Sequence, residues 1–117
     1  MTTAANVAIG FVALLHACFL VLEMLLWDTP FGRRVFRTTP EFAAASKKLA
    51  ANQGLYNGFL AAGLVWGLSL GVAGLEVKFF FLACVIVAGV FGAVTVNRYI
   101  LFIQALPGIV ALALLLP

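Results

Sequence analysis

The sequence predicts an all-α fold: an integral membrane four-helix bundle with short loops and one longer connection. Three observations carry that expectation. First, the 117 residues are 65% hydrophobic and 9% charged, with a mean hydropathy of +1.18, whereas soluble domains are about 45–50% apolar and about 25% charged. No soluble fold of this size could hide so much apolar surface, so lipid is the expected solvent. Second, the apolar residues gather in runs at approximately 7–27, 55–75, 79–96 and 99–116. A helix needs about 20 residues to cross about 30 Å of hydrocarbon. Third, a chain in lipid must satisfy its backbone internally, which leaves helices for runs of this length. Residues 1–117 are read as a single domain.

The first run lacks a basic leading segment and a clean small-residue cleavage site, so it is read as a retained span. The connection after it holds Arg33, Arg34, Arg37, Lys47 and Lys48. It also holds helix-start chemistry: Thr39 suits an N-cap, Pro40 the first helical position and Glu41 the first turn. Phe42, Ala45 and Leu49 then recur at helical spacing, predicting a short interfacial helix that runs into the second span; a solvated basic loop is the alternative. In the second run Gly54, Gly58 and Ala62 form one row of small residues, and Gly63, Gly67 and Gly71 another. Ala88 with Gly92, and Gly89 with Ala93, repeat the pattern in the third. Such rows let helix backbones approach closely. The last two runs are slightly short, which predicts bilayer thinning or little tilt. Pro107 with Gly108 predicts a kink in the fourth.

The net charge is +3, and its distribution reads as membrane topology rather than nucleic-acid binding. Arg98 joins the five basic residues of the first connection on one side of four spans, while Lys78 lies on the other. The positive-inside rule makes the first side cytoplasmic. The chain is therefore expected to be a multi-pass cell-membrane protein with both termini extracytoplasmic and its long loop cytoplasmic. Cys18 and Cys84 lie in apolar runs and read as small buried hydrophobes. No metal site and no cofactor is predicted.

One feature of the first run needs a reason. A charged side chain at a span's centre costs roughly 2.5–3.5 kcal/mol, yet this run contains His16 and Glu23. They are seven residues apart, nearly on one stripe with Phe19 and Trp27. At 1.5 Å per residue, Glu23 lies about 6 Å inside the boundary marked by Trp27, and His16 about 16 Å. The expected topology brings other polar residues to the same half of the membrane: Asn52, Gln53, Tyr56 and Asn57 on the second helix, Asn97 and Arg98 after the third, Gln104 on the fourth. These residues form the candidate ligand-binding set, with Arg98 the expected charge partner of Glu23. Each also has a plainer reading, as an ion pair, an interhelical hydrogen bond or, for Trp27 and Tyr99, an interfacial anchor.

Several motifs resemble a known family. The first run reads H-x-x-F-x-x-x-E-M-x-L-W through His16, Phe19, Glu23, Met24, Leu26 and Trp27. The second reads N-Q-G-L-Y-N-G-F-L-A-A-G-L-x-W-G from Asn52 to Gly67. The fourth contains I-L-x-x-Q-x-x-P through Ile100, Leu101, Gln104 and Pro107. Over nearly its whole length the chain resembles the small bacterial and fungal membrane proteins grouped as domain of unknown function family 1304. The resemblance implies a four-span membrane protein and carries no activity.

The chemistry of the residues therefore has to suggest the function. The first expectation is an inner-leaflet polar pocket for a small hydrophobic, amphipathic or lipid-like molecule. Acid–base work by His16 and Glu23 is permitted, but with no nucleophile motif, metal-ligand cluster or phosphate loop it is not indicated. A small proton-coupled transporter acting as a homo-oligomer is an alternative, weakened by the nearly apolar outer half. A non-catalytic packing or assembly subunit is another.

Overall fold

A computed structural model describes residues 2–117. Among these the chain is helical and no strand occurs. The helices are α1, Thr3–Met24; α2, Pro30–Phe36; α3, Pro40–Ser69; α4, Leu75–Thr95; and α5, Leu106–Leu115. A 3-10 turn, Gly71–Gly74, leads into α4, and a π-helical turn, Leu101–Ala105, leads into α5. Two of these stretches, Thr3–Met24 and Gly71–Thr95, are long and apolar enough to cross a membrane. The other two expected spans fall short for different reasons. Asn52, Gln53 and Asn57 dilute the apolar half of α3, and that helix stops at Ser69, where Gly71 takes a left-handed φ of +61°. The last apolar stretch, Leu101–Leu115, rises only about 22 Å at 1.5 Å per residue.

The chain divides into two compact units. One comprises the described part of Met1–Leu14 together with Leu60–Pro117; the other is Leu15–Phe59. In the first, side chains from four helices share one buried cluster: Ile9, Val12 and Ala13 of α1, Leu64 of α3, Leu82 and Val85 of α4, Ala111 and Leu115 of α5. Small residues set its spacing. A Cβ on Gly63 would fall 2.4 Å from the Phe81 ring, and one on Gly89 would fall 2.8 Å from the backbone nitrogen of Ala105. The rows read from the sequence thus include true contact positions. The π turn precedes Pro107, whose missing N–H interrupts the regular ladder.

In Leu15–Phe59, α1 ends at Met24 and a tight turn leads into α2. Thr29 caps α2, its hydroxyl oxygen accepting from the Gly32 amide at 3.1 Å and its hydroxyl donating to the Leu26 carbonyl at 2.7 Å. Pro30 fills the first turn, and Arg37 ends the helix in the left-handed conformation, φ 56°. This helix was not anticipated: at seven residues it is too short to show a period. The start of α3 follows the sequence closely. Thr39 accepts from the Phe42 amide at 3.1 Å and Pro40 is the first helical residue. The expected short interfacial helix is the opening of one continuous 30-residue helix.

Candidate functional site

The buried stripe of α3 explains where its polar groups go. Ala43, Ala50, Gly54 and Asn57 are buried and Ser46 is half-buried, a three- and four-residue spacing that marks one helical face. Gly54 allows α1 to come close, since a Cβ there would lie 2.6 Å from Met24 Cγ and 3.2 Å from the Leu20 carbonyl oxygen. That approach puts Asn57 within reach of Glu23. The Asn57 Nδ2 donates to Glu23 Oε1 at 2.5 Å and to the Gln53 carbonyl at 3.3 Å. Asn57 is 7% exposed, so its amide has little freedom to leave. Glu23 is only half-buried, and a carboxylate can accept about four hydrogen bonds.

Around this pair the expected residues divide. His16 is fully buried and meets Phe19 edge-on, with ring centroids 5.4 Å apart. Trp27 lies in the turn beyond α1, its indole N–H donating to the Ser46 hydroxyl at 3.0 Å and its ring 4.8 Å from that of Phe36. Asn52, Gln53 and Tyr56 are exposed, and Tyr56 contacts the Phe59 ring at 5.7 Å. Ser46 was missed. Its three-residue step from Ala43 along the small-residue stripe was the available signal.

The other unit holds Asn97, Arg98 and Gln104, each in a local role. Asn97 accepts from the Tyr99 amide at 2.8 Å, opening the last helical stretch. Arg98 lies over the Tyr99 ring, 5.5 Å from its centroid. Gln104 donates to the Val85 carbonyl at 3.2 Å, tying the π turn to α4. Within their own units, the Arg98 cation lies over the Tyr99 ring and the Glu23 carboxylate takes the Asn57 amide. Among the described residues no group of three or more His, Cys, Asp or Glu is placed to hold a metal. A shallow cavity of about 220 Å³ is lined by Leu75, Glu76, Phe79 and Leu116, none of them a candidate residue.

Comparison with known proteins adds a lineage and no activity. The family model described as protein of unknown function (DUF1304) matches residues 10–116. An uncharacterized protein, YpaA of Lactococcus lactis subsp. lactis (strain IL1403), is 31% identical over 106 residues, covering 89% of this chain and 87% of that protein. No solved structure matches.

Proposed function

The chain belongs to this family of unknown function, and from that premise we propose that it is a multi-pass membrane protein in which Glu23 and Asn57 hold the polar end of a small amphipathic or lipid-like molecule. The observation that carries the reading is a half-buried carboxylate fixed by a buried amide. Asn57 positions the acceptor, and the open side of Glu23 can receive a hydrogen-bond donor or cation. Exposed Gln53 and Tyr56, on the same helix, supply further polar contacts, and apolar neighbours suit an acyl chain. Proton transfer is the chemistry open to Glu23 and His16.

Membrane placement is supported by exposed apolar stripes. Val7, Phe11 and Leu14 are 66%, 54% and 64% exposed, at helical spacing on α1, and Val87, Phe91 and Val94 repeat this on α4. Water is a poor solvent for such stripes and lipid a good one. Four spans are the reading favoured by the buried cluster to which α1, α3, α4 and α5 all contribute. On this reading the positive-inside rule has the 28–54 connection cytoplasmic and both termini outside. Cysteine labelling from outside, in a variant lacking Cys18 and Cys84, tests this: labelling in the first connection and not at the termini overturns it.

A packing role is the second reading, favoured by the way Asn57 and Glu23 satisfy each other. Melting curves of wild type, His16→Ala and Asn57→Ala, with and without host lipid extract, separate the two. A binding site predicts an extract-dependent rise in the wild-type melting temperature, lost in both variants whatever their own melting temperature. Large losses in both variants and no rise in wild type leave the packing role alone.

A further inference from the structure

We infer that the outer face of α2 and the opening turns of α3 form a binding surface for the phosphate headgroups of anionic membrane lipids. This rests on the membrane reading but uses none of the Glu23 site. The helix α2 is fixed from within. Its cap, Thr29, is bonded on both sides. Gly32 lies so close to the Leu26 carbonyl that a Cβ would fall 1.8 Å from that oxygen. Phe36 packs on Trp27, and Arg33 pairs with Asp28 at 2.8 Å. Seven residues would be a marginal helix alone; these contacts let it present a defined outer face.

That face mixes cation and hydrocarbon. Phe31, Arg34 and Val35 are exposed, Arg34 three and Val35 four residues after Phe31, on one side of α2. Arg37 is exposed at the helix end, and Lys47 and Lys48 are exposed on α3, as are Phe42 and Leu49. Between residues 30 and 50 Glu41 is the one acidic residue, against Arg33, Arg34, Arg37, Lys47 and Lys48. Arg33 is spent on Asp28. The excess positive charge fits an anionic surface, and the exposed rings and aliphatics choose which. Water or a nucleic-acid backbone would leave Phe31, Val35, Phe42 and Leu49 in contact with solvent. A bilayer boundary receives both classes together, phosphate taking the guanidinium and ammonium groups while the apolar side chains enter the acyl margin.

The test uses the full chain in phosphatidylcholine vesicles carrying small, equal fractions of brominated phosphatidylglycerol or brominated phosphatidylcholine. The chain has two tryptophans, and Trp66→Phe leaves Trp27, whose ring packs on α2, as the reporter. Brominated phosphatidylglycerol should quench Trp27 more strongly at low salt, with an overall preference of roughly fivefold, shrinking as salt rises. Arg34→Gln/Arg37→Gln/Lys47→Gln/Lys48→Gln should erase the preference and keep quenching by brominated phosphatidylcholine. Arg34→Lys/Arg37→Lys should retain it. Equal quenching by the two lipids, or a preference that survives the fourfold glutamine variant, overturns the proposal. Absence of quenching by either lipid overturns the membrane reading beneath it.

Discussion

Lys78 and Glu23 are both ionisable side chains set in apolar helices, and the chain treats them in opposite ways. Lys78 is 1% exposed. Its Nζ donates to Asn6 Oδ1 at 3.2 Å and to the Gly71 carbonyl at 3.3 Å, while its stem packs on Gly67. The ammonium thus binds together α1, the turn after α3 and the first turn of α4. Glu23 is half-buried, with a buried amide on one side. An enclosed polar group with its acceptors contributes to the fold. A half-open one with a single fixed partner keeps capacity for something else. Topology drawn from sequence counted Lys78 as a loop charge; in the structure it is part of the interior.

The largest test of this contrast is steric. Two glycines, one in the unit of Lys78 and one in the unit of Glu23, differ in what they meet: Gly89 faces backbone, whereas Gly54 faces first a flexible side chain. Gly89→Ala would drive a methyl group against the backbone of Ala105 and should cost about 3 kcal/mol, the upper end of ordinary overpacking. Gly54→Ala meets first the flexible Met24 side chain, so about 1 kcal/mol is expected. Gly10 has nothing within 4 Å of the added carbon, and Gly10→Ala should stabilise by roughly 0.5–1 kcal/mol through helix propensity. Reversible unfolding in mixed micelles gives the three values. Equal losses at Gly89 and Gly54 would erase the distinction between a backbone contact and a yielding side-chain contact.

The lysine test comes next. Asn6→Leu removes an acceptor and leaves the buried ammonium, so a loss of about 2–3 kcal/mol is expected. Lys78→Met removes the charge itself and should cost less, about 1–2 kcal/mol, from the oxygens left behind. The double variant should be no worse than Asn6→Leu alone, because two apolar replacements leave fewer groups stranded. Strict addition of the two losses would show that Lys78 does not depend on Asn6.

What the sequence reveals depends on range. Thr39 and Pro40 act within one turn of α3, and their neighbours in sequence reveal them. The small residues at 54, 63 and 89 declare close approach through spacing alone. Partner choice is a different matter. Arg98 is matched to Glu23 by charge and expected depth, whereas the contacts within each unit are local: Arg98 lies over the Tyr99 ring and Glu23 accepts from the Asn57 amide. The helix α2 was hidden because Pro30, Gly32 and two arginines fit a loop equally well until Thr29, Leu26 and Phe36 fix it. Lys78 escaped for a similar reason: its acceptors are a side chain 72 residues away and a backbone carbonyl.

The smallest effect is also the one that decides whose partner Glu23 is. On the membrane reading proposed above, hydrogen bonds between helices couple by about 0.6 kcal/mol on average and about 1.7 at most. The bond from Asn57 is short and its donor is buried, so a coupling of about 1 kcal/mol is expected for Glu23→Gln with Asn57→Leu. The same cycle with Arg98→Gln should give a coupling near zero, since Arg98 is exposed and set over Tyr99. Each cycle needs four melting curves in one detergent. A larger coupling to Arg98 than to Asn57 would restore the ion pair expected from charge. It would also make Glu23 a closed group like Lys78, leaving no open carboxylate for a ligand to find.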